Sequence, residues 1–194
     1  MALRAVMAIQ EGGVPVLEIT MTVPGAVHVI ETLAGRFGKD VIIGAGTVLD
    51  EATARTCILA GAQFIVSPSL DLPTIQCCRR YAITVMPGAL TPTEVVRAWS
   101  AGADFVKVFP AGAVGGASYI KALKAPLPQV LLVPTGGVSL KTAADFIRAG
   151  AAALGVGADL VDAAALRAGQ DSVITERARQ FVSIVREARS SATT

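Results

Sequence analysis

Charge is scarce in this chain. Asp, Glu, Lys and Arg make up 16% of its 194 residues, and the formal net charge is only +2. The lysines and arginines are dispersed and form no basic stripe, which excludes nucleic acid as a partner. Histidine is scarcer still: His28 is the single one, so a His-rich metal site and a Ser–His or Cys–His nucleophile pair are both excluded, and no metal is expected. The three cysteines, Cys57, Cys77 and Cys78, lack disulfide or metal spacing and read as reduced residues of a cytoplasmic protein. Glycine and proline interrupt every apolar run, so no segment is long enough to span a bilayer and no membrane partner is expected. Met1 to Met7 carry neither the apolar core nor the cleavage site of a signal peptide. Chemistry is left to lysine, carboxylate, hydroxyls and backbone amides, with no cofactor.

What the chain has in quantity is apolar residues, 53% of the total, enough for one domain over 1–194 with a substantial core. Short β-branched runs recur at Val16–Thr20, Val41–Gly46, Phe64–Pro68, Thr84–Gly88, Phe105–Pro110, Leu131–Gly137 and Ala153–Gly157. Their starts lie about 20–26 residues apart, the length of a strand, a helix and two loops. Alanine-rich amphipathic stretches such as Asp50–Ala60, Pro92–Ala101 and Ser139–Ala149 lie between them, with Asp50, Thr91 and Ser139 placed as caps. Ala60-Gly61-Ala62, Ala101-Gly102-Ala103 and Ala149-Gly150-Ala151 each put a glycine where a helix stops. Near-continuous apolar strands alternating with helices imply an α/β fold with a parallel sheet. The regular repeat favours a (β/α)8 TIM barrel over an open sheet. Only seven strands are found, and Met1–Gln10 reads as a helix with no strand before it. The expectation is a barrel lacking its first strand in this chain, closed by a helix over Ile174–Ser190.

Lys107 is the only ionisable residue in Phe105-Val106-Lys107-Val108-Phe109-Pro110, and Glu18 interrupts Val16-Leu17-Glu18-Ile19 in the same way. A lysine in an apolar core sheds hydration, its pKa falls, and the neutral amine can attack a carbonyl to form a Schiff base. The plainer readings are a lysine that simply faces water and a structural Lys–Glu pair. In barrels of this type the active site lies at the C-terminal ends of strands. Those ends include Glu18 with Thr20, Gly44-Ala45-Gly46-Thr47, Ser67-Pro68, Met86-Pro87-Gly88 and Lys107 with Phe109. Two glycine loops, Thr135-Gly136-Gly137-Val138-Ser139 and Gly155-Val156-Gly157-Ala158, follow the last strands, where such barrels bind phosphate.

Leu17-Glu18-Ile19-Thr20, Gly44-Ala45-Gly46-Thr47-Val48, Val66-Ser67-Pro68, Met86-Pro87-Gly88, Val106-Lys107-Val108-Phe109-Pro110-Ala111 and Pro134-Thr135-Gly136-Gly137-Val138 follow one another in order. In this the chain resembles the 2-keto-3-deoxy-6-phosphogluconate (KDPG) and 4-hydroxy-2-oxoglutarate (KHG) aldolases over nearly its whole length. The resemblance implies a metal-independent class I aldolase on a (β/α)8 barrel that assembles as a homotrimer and acts on a small phosphorylated 2-keto acid. It implies that Lys107 forms the Schiff base and that Glu18 moves protons. Thr47 would hold the pyruvyl carboxylate, Pro68 and Phe109 would wall the pyruvyl methyl, and Gly136, Gly137 and Gly157 would cradle phosphate.

The chain departs from the family pattern at three places. Many members carry arginine where this chain has Thr22, a variant that bears on the substrate more than on activity. Serine often follows the last glycine of the second phosphate loop, where Ala158 stands here; the lost hydrogen bond is worth about 1 kcal/mol. Members also begin with a strand ending in a polar residue at the pocket. Rival readings are an aldolase for KHG or for 2-keto-3-deoxy-6-phosphogalactonate (KDPGal), and a non-catalytic scaffold subunit on the same fold.

Overall fold

Strand and helix alternate along the computed structural model, which describes residues 1–38 and 40–191. The chain divides into two units, Val16–Phe109 and Met1–Pro15 with Pro110–Thr194. In the first, β1 (Val16–Thr20), β2 (Ile42–Gly46), β3 (Phe64–Val66) and β4 (Thr84–Met86) form a parallel sheet in chain order. A second parallel pair joins β5 (Gly88–Ala89) to β6 (Val106–Val108). Helices α2 (Ala26–Phe37), α3 (Glu51–Leu59), α4 (Leu72–Arg80) and α5 (Pro92–Ser100) connect the strands.

Alternation along each strand sorts the side chains onto two faces. Leu17, Ile19, Ile43, Ala45, Ile65, Val85, Val106 and Val108 are buried, as are Ile30, Leu33, Cys57, Ile75, Val95 and Ala98 of the helices. The other face carries Glu18, Gly44, Gly46, Phe64 and Lys107. The register sets Glu18 beside Gly44, Thr20 beside Gly46, and Lys107 beside Gly88. Parallel pairing brings the C-terminal ends of β1 and β2, and of β5 and β6, level with one another.

The second unit is built on α1 (Ala2–Glu11) packed against the long α9 (Asp171–Ser190). It also holds a 3-10 helix (Ala111–Val114), α6 (Ala117–Lys124), β7 (Leu132–Pro134), α7 (Ala143–Arg148) and α8 (Ala163–Arg167). Phe146, Ile120, Leu132 and Ile174 are fully buried in it. Arg4 donates to both oxygens of Asp171, from Nε at 2.8 Å and from Nη2 at 2.5 Å, tying the two long helices together. No helix among the described residues is long and apolar enough to cross a membrane.

The expected strand–helix repeat is present. Gly61, Gly102 and Gly150 each take positive φ, near +95° to +98°, after their helices. Asp50 caps α3 by accepting from the Thr53 N–H, and Thr91 forms a full capping box with Glu94 on α5. Three expectations need correction. Thr84–Gly88 is two strands rather than one, because Pro87 has no N–H to donate to a ladder. Ala153–Gly157 is not a strand; a single bridge joins Gly155 to Thr135. The helix expected from Ser139 begins at Ala143 with Thr142 at its cap position, and residues 140–142 form a turn in which the Ser139 N–H donates to the Thr142 hydroxyl.

Gly12, in ordinary helical conformation, lies where α1 meets α9; a Cβ there would collide with Ala178 and come within 2.6 Å of the Thr175 carbonyl. Gly12→Ala is expected to cost about 1–3 kcal/mol through overpacking, read as a lower urea midpoint at unchanged slope.

Candidate active site

Lys107 is buried, with only 8% of its surface exposed, and lies between buried Val106 and Val108. Its backbone N–H donates to the Pro87 carbonyl at 2.9 Å, which fixes β6 against the segment before β5. The side-chain Nζ sits 5.1 Å from the centroid of the Phe109 ring. No carboxylate oxygen among the described residues comes within 4.0 Å of it. Burial strips water from the ammonium and lowers the pKa of Lys107, while the negative charge of Glu18 partly offsets the shift.

Glu18 responds in the opposite sense. Water reaches its side chain, but protein atoms crowd it. Loss of hydration raises its pKa, with the charge of Lys107 partly offsetting the rise. The two groups therefore feel each other's charge without forming an ion pair. Both move towards their neutral forms: a free amine is a nucleophile, and a protonated carboxyl can give a proton.

The local structure that holds this pair is built from glycine. A Cβ on Gly46 would collide with Oε1 of Glu18, and one on Gly44 would collide with the Phe64 ring. A Cβ on Gly88 would fall on the Pro68 carbonyl, so this glycine lets the loop after β3 close onto β5 beside Lys107.

The remaining expected site residues of this unit also lie at or beyond strand ends. Thr47 follows β2, is half-buried, and its hydroxyl makes no hydrogen bond among the described residues. Pro68 is half-buried after β3, and Phe109 is exposed after β6. Thr22 is exposed two residues past β1, with its hydroxyl 2.7 Å from that of Thr20. Thr22 therefore presents a neutral hydroxyl engaged by its neighbour and no positive charge.

In the second unit, Gly136 and Gly137 follow β7 with φ of +81° and +79°. The Gly112 N–H donates to the Gly136 carbonyl at 2.9 Å, and a Cβ on Gly112 would come within 3.0 Å of the Gly137 Cα. The Thr142 hydroxyl donates to the Gly137 carbonyl at 2.9 Å and accepts from the Ser139 N–H at 2.9 Å, closing the loop. Gly157 and Ala158 are exposed, and space around the Gly157 Cα is open. The close contacts made at Gly44, Gly46 and Thr142 are not apparent from residue type. The alternation of glycine in Gly44-Ala45-Gly46 was the available signal.

Comparison with known proteins gives matches over most of the chain. The family model described as "Aldolase: KDPG and KHG aldolase" matches residues 1–176. The 2-dehydro-3-deoxy-6-phosphogalactonate aldolase of Escherichia coli (strain K12) is 39% identical, with 96% of this chain and 89% of that protein covered. A KDPG aldolase from Legionella pneumophila, solved with pyruvate captured at low pH as a covalent carbinolamine intermediate, is 31% identical. It superposes with a TM-score of 0.87 over 93% of this chain and 87% of that one. A cube-shaped protein cage designed by fusing symmetric oligomeric domains is 36% identical. Its TM-score is 0.90, over 99% of this chain and 70% of that one. The chain thus has the α/β fold of the KDPG aldolases.

The opposed shifts of Lys107 and Glu18 have a consequence for stability. A lysine whose pKa falls on folding costs stability below its folded pKa, and the cost fades as pH rises towards the unfolded value. A glutamate whose pKa rises costs stability above its folded pKa, and that cost fades as pH falls towards the unfolded value. The double variant Glu18→Gln/Lys107→Met is expected to be more stable than the parent near neutral pH by about 1 kcal/mol, the low end for a buried pair because water reaches Glu18. Urea unfolding across pH should show the gap narrowing at both extremes.

Proposed function

This chain belongs to the KDPG and KHG aldolase family, and within that family we propose that it is a class I aldolase cleaving KDPG to pyruvate and glyceraldehyde 3-phosphate. The observation that carries the reading is a buried, dehydrated lysine close enough to a glutamate to feel its charge, yet not ion-paired with it.

Lys107 Nζ, as the free amine, attacks the C2 ketone of the substrate. Glu18 delivers a proton to the carbinolamine hydroxyl, which leaves as water and generates a protonated imine. Glu18, now a carboxylate, takes the proton of the C4 hydroxyl as the C3–C4 bond breaks. The bonding electrons pass to the iminium, giving an enamine on Lys107 and releasing the aldehyde. Reprotonation at C3 and addition of water then free pyruvate and restore the amine. The unpartnered hydroxyl of Thr47 is suited to donate a hydrogen bond to the pyruvyl carboxylate. Pro68 and Phe109 supply apolar walls. The glycine loops at Gly136, Gly137 and Gly157 offer backbone N–H groups to the phosphate, and Ala158 offers no hydroxyl.

KDPGal is the second reading, favoured by the 39% identity to an enzyme of that name. Thr22 and Ala158 both weaken a purely phosphogluconate-tuned site. Comparing kcat/KM for KDPG, KDPGal and KHG on the same preparation separates the three. A homotrimer is also proposed. Exposed Trp99 and Val96 on α5, with Leu59 on α3 at 70% exposure, support burial against other copies of the chain.

Borohydride reduction in the presence of pyruvate should add one reduced pyruvyl group, located at Lys107 by peptide mass analysis. Lys107→Met should abolish both the adduct and turnover; an unchanged intact mass for the parent would sink the reading. Glu18→Gln should lower kcat by about 10²–10⁴ while still allowing slow adduct formation. The rate of imine formation should rise with pH and reach its plateau below the ordinary range of a lysine.

A further inference from the structure

Glu18 and Gly46 lie on adjacent strands, but they are not register partners: Glu18 pairs with Gly44, and Gly46 pairs with Thr20. The glutamate side chain leans along the strand direction and crosses onto β2 two residues further on. A Cβ built on Gly46 would strike Oε1, lie 2.5 Å from Cδ and 3.1 Å from Cγ. Three consecutive side-chain atoms of Glu18 therefore rest on the bare Cα of Gly46. The other bare position on this face of β2 is not available to them, since the Phe64 ring fills the space above Gly44.

The geometry points to Gly46 as a positioning residue, whose missing side chain is the seat that sets where the Glu18 carboxylate stands relative to Lys107. The inference rests on the acid/base role proposed above for Glu18. Gly46 lies within regular β2 and its φ is outside the left-handed region, so alanine is conformationally acceptable there. The conflict introduced by a methyl group falls mainly on the end of a flexible side chain. With Phe64 blocking one side, the carboxylate must swing away from the sheet. Alanine at this position thus displaces the proton-transfer group with little direct effect on the fold, and displacements near 1 Å cost about 10²-fold in such steps.

The test is a cycle of Gly46→Ala with Glu18→Gln, measured as kcat and KM together with thermal unfolding and the pH dependence of kcat. Gly46→Ala alone is expected to lower kcat by about 10- to 100-fold, with KM changed far less and the limb of the pH profile that reports Glu18 displaced. In the Glu18→Gln background, where no carboxylate is left to misplace, the same substitution should change kcat by less than about 2-fold. Equal losses in the two backgrounds, or an unchanged kcat in Gly46→Ala, would overturn the proposal. If Gly46→Ala also lowers the melting temperature, the shorter side chain of Glu18→Asp in the same chain should restore the fold and part of kcat; no restoration overturns it equally. Full turnover by Glu18→Gln alone would instead remove the acid/base reading on which the proposal stands, an outcome distinct from the others.

Discussion

A buried amine and a carboxyl crowded by protein atoms, near each other without closing into a salt bridge, form the constraint that the rest of the site serves. Had Lys107 and Glu18 paired tightly, each would have stabilised the other's charged form, and the amine would have stayed protonated. Their dehydration dominates over their attraction for both groups. That ordering follows from the backbone. Lys107 lies on a short strand whose neighbours Val106 and Val108 are buried, and Glu18 reaches across β2 over a glycine.

A site of this kind contributes nothing to folding and must be supported from elsewhere. In its own unit, the support is the apolar face of the parallel strands packed by Ile30, Leu33, Ile75 and Val95, with helix starts fixed by Asp50, Asp71 and Thr91. In the other unit, α1 and α9 are joined by a close glycine contact and by the bidentate Arg4–Asp171 pair. The Gly136–Gly137 loop is closed by Thr142 rather than by a long helix cap, which leaves its positive-φ backbone in a defined shape.

Much of this was legible in the amino-acid order. Lys107 and Glu18 were visible because a charge inside an apolar run is costly and needs a reason. The strand–helix repeat was visible through β-branched runs and Ala-Gly-Ala stops. The breaks were harder to see. Pro87 divides a run that reads as continuous, and Gly155 makes one bridge where a strand was expected, because its neighbours do not continue a ladder. Ser139 resembles a cap by type and place, yet the chain turns from Ser139 to Thr142 before the helix starts at Ala143, a choice between two hydroxyl residues three apart that spacing cannot rank.

The sequence by itself determined which groups carry charge within apolar segments, where α3 and α5 begin and where glycine follows a helix, and the family to which the chain belongs. These depend on residue type and local order, so they can be read along one dimension. Tertiary structure decided how the groups meet. Strand register sets Glu18 beside Gly44 and Lys107 beside Gly88, and only side-chain placement shows that the Glu18 carboxylate lies over Gly46 while Phe64 fills the space over Gly44. The separation of an acid from an amine is fixed by atoms far apart in the chain, and glycine marks such a contact by having no side chain of its own.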